Sequence, residues 1–279
     1  MTGKRSTFLL SALVFGFAFL YVPILLVIIY SFNEGKLVTV WTGFSFKWYV
    51  SLFSNDGMID AAWNSLRIGV MSATLALAVG TPAGLVMSRF GRFKGRTLFS
   101  GMVAAPLVMP EVITGLSLLL LFVTLEQLIG WPAGRGVTTI VIAHTTFCAA
   151  YVAVVVQSRL AGMDTSVEEA AMDLGAKPAK IFFVITLPMI LPALLAGWLL
   201  SFTLSLDDLV IASFVAGPGS TTLPMKVFSS VRLGVSPEIN ALATLIILAV
   251  SVMIVISSLL ILRSERARTR SMNQSTIDN

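Results

Sequence analysis

Cysteine and histidine occur once each in this chain of 279 residues, as Cys148 and His144. A lone cysteine excludes a disulfide within the chain, and no Cys/His cluster is present to hold a metal. Cys148 lies in an apolar run and reads as a small buried hydrophobe. Charge is also scarce. Only 12% of residues are Asp, Glu, Lys or Arg, about half the roughly 25% of a typical soluble domain. No G-x-x-x-x-G-K-S/T phosphate loop occurs. Gly91-Arg-Phe-Lys-Gly95-Arg-Thr97 is glycine among basic residues, and Gly217-Pro-Gly219-Ser-Thr-Thr222 is turn-rich sequence. The chain is therefore not expected to hydrolyse ATP by itself or to bind a cofactor, and any energy must come from a partner.

What is abundant is apolar sequence. Hydrophobic residues make up 56% of the chain, and the mean hydropathy is +0.91. A bilayer core about 30 Å thick needs roughly 20 apolar residues in a helix. Six stretches meet this, at Phe8–Tyr30, Ser65–Met87, Phe99–Leu125, Val137–Gln157, Ile190–Val215 and Ala241–Leu262. Helices are expected because lipid offers no partner to an unpaired backbone group. The first run follows Lys4-Arg5. It is longer than a signal peptide's apolar region and has no small-residue cleavage site, so it reads as an uncleaved span.

Lys and Arg fall unevenly between the two sets of connections. Lys4, Arg5, Arg89, Arg92, Lys94, Arg96, Arg159, Lys177, Lys180, Arg263, Arg266, Arg268 and Arg270 lie on one side. Lys36, Lys47, Arg67, Arg135, Lys226 and Arg232 lie on the other. The richer side is cytoplasmic by the positive-inside rule, which puts both termini there. The net charge of +5 and pI of about 9.6 thus express topology, and no nucleic-acid partner is implied. On the outer side, the segment 31–64 carries Trp41, Phe44, Phe46, Trp48, Tyr49 and Phe53. It reads as an interfacial aromatic belt or as a lid or docking surface for an external partner.

The cytoplasmic connection Ser158–Leu187 is more than a linker. Thr165 or Ser166 can cap a helix, with Glu168 and Glu169 favourable in its first turn. Gly175 can end that helix with a left-handed residue, and Pro178 fits the first turn of the next. Two short helices with a sharp bend are expected at the membrane surface. Ala170, Ala171, Leu174, Ile181 and Phe182 are expected to form one apolar face suited to a groove.

Glu169-Ala170-Ala171, three residues, Gly175, nine residues, then Ile185-Thr-Leu187-Pro188 resembles the complete EAA signature of binding-protein-dependent ABC importer permeases. Asn64-Ser65-Leu66 is similar to the start of that family's transmembrane domain. Four segments resemble its polyamine-importer branch, and within that the second permease subunit of putrescine importers. They are Ala105–Gly115, Glu169–Gly175, Phe202–Ile211 and Thr222–Met225.

The resemblance implies an all-α integral membrane protein of six transmembrane helices with cytoplasmic coupling helices, forming one permease domain over 1–279. It places Glu168, Glu169, Ala170, Ala171, Asp173, Leu174, Gly175, Ala176 and Pro178 in the segment that couples to an ATPase. It implies a second homologous permease, an ATPase dimer carrying ATP and Mg, and a periplasmic or extracellular polyamine-binding protein. The solute would be a small cation, putrescine or spermidine, crossing the bacterial inner membrane. Two alternatives are a permease of the same family for an oxyanion or a metal, and an ion-driven secondary transporter. No inverted repeat supports the latter.

Three carboxylates fall inside the expected spans, Glu111, Asp207 and Asp208. An acid at mid-membrane costs roughly 2.5–3.5 kcal/mol on insertion scales, so such residues usually face water or a partner. Glu111 follows Pro110, with Pro106 four residues earlier, so this span is expected to break. Glu111 then either lines a solute path or satisfies the free amides of the second half. Asp207 and Asp208 point about 100° apart on a helix, so one faces the path and the other a neighbouring element. Arg67 reads as snorkelling to the interface, or as pairing with an acid. His144 reads as a hydrogen-bonded packing residue rather than a proton relay.

Overall fold

The computed structural model describes residues 7–37, 40–233, 236–252 and 255. Helix dominates, and the chain divides into two compact units, Gly57–Ser229 and the two flanks 1–56 and 230–279.

In the flanking unit, α1 (Thr7–Tyr30) is apolar on every face and its side chains are unburied, as suits a helix surrounded by lipid. The loop after it folds around one side chain. The Asn33 amide donates to Leu37 O and Val40 O and accepts from the Thr42 N–H. The Trp48 indole closes the loop on Asn33 O at 2.7 Å. Phe32 stacks on Phe44 and meets Phe46 edge-on. The aromatic residues at 32–49 therefore pack against one another, with Phe44, Phe46 and Trp41 still exposed and Trp48 buried. Next come α2 (Lys47–Phe53) and, late in the chain, α12 (Pro237–Val252). Glu238 accepts from Ser51 Oγ and from Asn55 Nδ2. The expected sixth span, Ala241–Leu262, lies within the described residues only as far as Val252 and at Val255.

In the larger unit, α3 (Asp56–Arg89) has 34 residues and begins nine residues before the expected Ser65. Asp56 at its first turn favours the earlier start, since a carboxylate there complements the helix dipole. The expected span Phe99–Leu125 is two helices, α4 (Arg96–Val108) and α5 (Glu111–Ile129). They are separated by Met109 and Pro110, both extended at ψ 136°. Pro110 forces this break, because a residue before proline is driven from the helical region. At the centre runs α6 (Val137–Ala161), whose Ile140, Ala143, Cys148, Val152, Val156 and Leu160 are inaccessible to solvent.

Two cores form along α6. Ile68, Phe122, Ile140, Ile211 and Val215 make one. Ala76, Cys148, Val156, Leu160, Ile190 and Leu194 make the other. Small residues allow α3 to approach α6 closely. A Cβ on Gly80 would lie 2.6 Å from Ala149 O, and one on Gly84 would lie 2.6 Å from Ala153 O. Close backbone approach of this kind carries helix association where lipid removes the hydrophobic drive.

The connection Ser158–Leu187 holds α7 (Ser166–Asp173) and then α8 (Pro178–Ile181). A π-helical turn, Phe182–Thr186, joins α8 to α9 (Leu187–Asp207). The second short helix is thus not separate but the foot of a 30-residue helical rod, Pro178–Asp207. Pro178 sits at a first-turn position, where a missing N–H costs nothing, whereas Pro188 lies inside the rod just after the π-helical turn. The expected span Ile190–Val215 is interrupted at Asp208, which is extended (φ −65°, ψ 124°), before α10 (Val210–Val215). Leu223–Leu233 forms α11.

Gly80→Ala is expected to destabilise the protein by about 1–3 kcal/mol through overpacking. Gly101→Ala, with open space around it, is expected to stay within about 0.5 kcal/mol of the parent. Thermal unfolding in detergent checks both, and equal unfolding temperatures would contradict the close packing of α3 on α6.

Candidate functional site

The two interruptions, Met109–Pro110 and Asp208–Leu209, border the same cavity of about 430 Å³. Glu111, Thr114, Phe147, Tyr151 and Asp207 contribute to its wall. Backbone that leaves the helical ladder at membrane depth needs protein or water around it, so two breaks at one cavity are physically consistent.

The second break is built around Asp208. Its carboxylate accepts the N–H of Ile211 at 3.3 Å and of Ala212 at 2.7 Å, replacing helical partners at the start of α10. His144 Nε2 lies 3.0 Å from Asp208 Oδ2, and His144 Nδ1 lies 2.6 Å from Ser205 Oγ. A neutral imidazole that donates from Nε2 and accepts the serine O–H at Nδ1 is satisfied at both nitrogens. His144 is fully buried and Ser205 only 3% exposed, so this serine–histidine–aspartate set has no approach for an acyl substrate. Its role is a joint between α6 and the interrupted helix.

The joint separates the two neighbouring acids. Asp208 is buried and committed to three groups, whereas Asp207 ends α9 with its side chain exposed at the cavity. Glu111 opens α5, where no side-chain hydrogen bond caps the helix, and it too is exposed at the cavity. Arg67 makes no ion pair with a described residue, and its Nε is buried without a hydrogen-bond partner.

The segment around α7 has its own logic. Thr165 stands at the N-cap position of α7 without a capping side-chain bond, and Asp164 supplies that bond instead. Its carboxylate accepts the Ser166 N–H at 3.0 Å and the Ser166 O–H at 2.9 Å. These bonds hold the Asp164 carboxyl below the usual carboxylate range. Thr165 Oγ1 instead donates to Glu169 Oε1 at 2.8 Å. At the other end, Gly175 is left-handed (φ 79°) as expected. The N–H of Gly175 bonds Met172 O and that of Ala176 bonds Ala171 O, the Schellman arrangement.

The exposed apolar face consists of Val167 and Leu174, the latter 89% exposed, with Met172 exposed on another side of α7. Ala170 joins it and Ala171 is half-buried, while Phe182 is half-buried too and Ile181 is buried. Ile181 is therefore not part of the exposed face; as the foot of the rod it packs inward. Ala171, Leu174, Gly175, Ala176, Lys177 and Lys180 line a shallow concavity of about 500 Å³. Asp173 and Pro178 are exposed beside it. Glu168 turns inward, pairing with Arg89 and accepting from Thr186.

Sequence reasoning missed three partners: Ser205 for His144, and Arg89 and Thr186 for Glu168. The separations run from 18 to 79 residues, and no local pattern links them. Arg89 signals only topology in the sequence.

Residues 80–270 match the family described as binding-protein-dependent transport system inner membrane component. The chain is 61% identical over 270 residues to the putrescine transport system permease protein PotI of Escherichia coli strain K12, covering 97% of this chain and 96% of that protein. It is 44% identical over 249 residues to the spermidine/putrescine transport system permease protein PotC of the same strain, covering 89% and 91%. Among solved structures, a chain of a bacterial ABC transporter involved in the import of the acidic polysaccharide alginate superposes with a TM-score of 0.69, at 17% identity and 93% and 97% coverage. A chain of the MetNI methionine ABC transporter in an inward-facing conformation gives 0.56, at 19% identity and 71% and 89% coverage. These two likenesses are of fold. The family match over most of the length, together with the two relatives, establishes that this chain belongs to the inner membrane component family of binding-protein-dependent transport systems.

Proposed function

We propose that this chain is a permease subunit of an ATP-driven polyamine importer of the bacterial inner membrane, with putrescine as its foremost solute. The observation that carries the reading is the cavity where two interrupted helices present Glu111 and Asp207, in a chain closely similar to a putrescine permease along nearly its whole length. Putrescine is a flexible dication. In a site screened from bulk water its ammonium groups are attracted to carboxylates more strongly than in solution. Phe147 and Tyr151 on the same wall offer ring faces that favour a cation while covering the methylene chain. An oxyanion would meet the wrong sign of charge here.

The chain acts as a transport subunit, not an enzyme. Its partners are a second homologous permease, an ATPase dimer that holds ATP and Mg, and an external polyamine-binding protein. Six spans with both termini in the cytoplasm, all within one permease domain, accord with the placement of Lys and Arg. The exposed face around Leu174 and the concavity beside Gly175 receive the ATPase. Closure of the ATPase dimer moves this segment and switches which side of the membrane the cavity opens to.

Asp207→Asn and Glu111→Gln are each expected to raise the half-saturating putrescine concentration about tenfold or more, matching the 1.5–3 kcal/mol of a hydrogen bond to a charged group. Uptake of radiolabelled putrescine and spermidine in a strain lacking the parental chain measures this. Parental uptake by the double variant would sink the cavity assignment.

Leu174→Arg should release the ATPase during purification, while the amount of permease in the membrane stays at the parental level. Gly175→Ala forces a side chain into a left-handed position at a cost of about 1–2 kcal/mol and is expected to weaken the same association. Glu169→Ala is expected to impair transport without impairing insertion. Normal import with a normally bound ATPase in all three would remove the docking role.

A further inference from the structure

We propose that Glu168 is the positioning residue through which motion of the docking helix α7 enters the membrane helices; this rests on the reading that α7 receives the ATPase. The two adjacent glutamates of the docking segment have opposite surroundings. Glu169 is exposed and bonds within its own turn, to Thr165. Glu168 points the other way and joins three elements with one carboxylate. Arg89 Nε, on the last residue of α3, lies 3.1 Å from Glu168 Oε2, and Arg89 Nη2 lies 3.5 Å from Oε1. Thr186 Oγ1 donates to the same Oε1 at 2.8 Å.

Two further features make this contact a transmission point rather than a surface ion pair. Its side chains are largely withdrawn from water, Arg89 at 18% and Glu168 at 13% exposure, so loss of one partner strands a poorly hydrated charge. Thr186, itself 3% exposed, closes the π-helical turn at the foot of the 30-residue rod that ends at Asp207. A π turn departs from the regular helical ladder and is a frequent site of functional adjustment. Displacing α7 therefore pulls on the end of α3 and on the one irregular turn of the rod that carries Asp207 to the cavity. The exposed apolar residues of α7 bind, and Glu168 conveys.

The test uses the full importer in proteoliposomes, with both permeases, the ATPase pair and the binding protein, and reads putrescine imported per ATP hydrolysed. Arg89→Gln and Thr186→Val are expected to keep the ATPase bound through purification. Both should lower the import ratio about tenfold, the change that corresponds to losing one charge-assisted hydrogen bond. Thr186→Ser, which restores the hydroxyl, is expected to recover the ratio, and Glu168→Gln to lose at least as much as Arg89→Gln. A parental ratio in both Arg89→Gln and Thr186→Val overturns the assignment. Loss of the ATPase from both overturns it as well, by making the contact part of the docking surface. A fall in unfolding temperature shared by Thr186→Val and Thr186→Ser, without rescue of the ratio, overturns it by making Thr186 merely structural. Failure of the underlying reading looks different, since the parental chain itself would then not retain the ATPase.

Discussion

Lipid cannot hydrogen-bond to a peptide group, and this constraint orders the larger unit of the protein. Wherever a helix is interrupted inside the membrane, other protein groups must take up the released N–H and C=O groups. Among the described residues two such places, at Pro110 and at Asp208, border one cavity. At Asp208 the substitution is explicit, because one carboxylate replaces the missing helical acceptors for Ile211 and Ala212. His144, from the central buried helix, holds that carboxylate in place. The joint leaves Asp207, one residue earlier, free to face the cavity. A structural acid and a candidate solute-binding acid are thus neighbours because the first makes the bend that exposes the second.

Much of the design was legible in the sequence because it is local. The apolar runs follow from bilayer thickness, the break at Pro110 from proline stereochemistry, and the left-handed Gly175 from helix termination. Local rules also locate Pro178 in a first helical turn. They fail where a distant partner decides. The span read as Ile190–Val215 is interrupted because Asp208 prefers two amides and a histidine 64 residues away to a place in a regular helix. Hydropathy alone does not register that preference. Thr165 stands at the N-cap position of α7, but Asp164, Thr165 and Ser166 are all competent to bond the first amides and only three-dimensional geometry selects Asp164.

The segment around α7 follows a similar division between short-range and long-range order. Its two ends are fixed by short-range bonds, Asp164 at the start and the glycine-terminated turn at the end. Its orientation relative to α3 and the rod depends on Glu168, whose partners lie 79 and 18 residues away. The helix is thus closed at both ends by its own neighbours in sequence and joined to α3 and the rod through one partly buried carboxylate.

The helix α3 now takes on a second meaning. Near its beginning, Asn64 donates to Gly219 O and Thr221 O, and Ser65 Oγ accepts the Leu223 N–H, so it grips the loop that follows α10. At its last residue it grips Glu168. Its 34 residues extend about 51 Å, well beyond the roughly 30 Å of bilayer hydrocarbon. One helix therefore reaches from the loop at one rim of the unit to the segment of α7 at the other. Pro82 lies between Gly80 and Gly84, so the turn that rests on α6 is also the turn that lacks one N–H of the helical ladder.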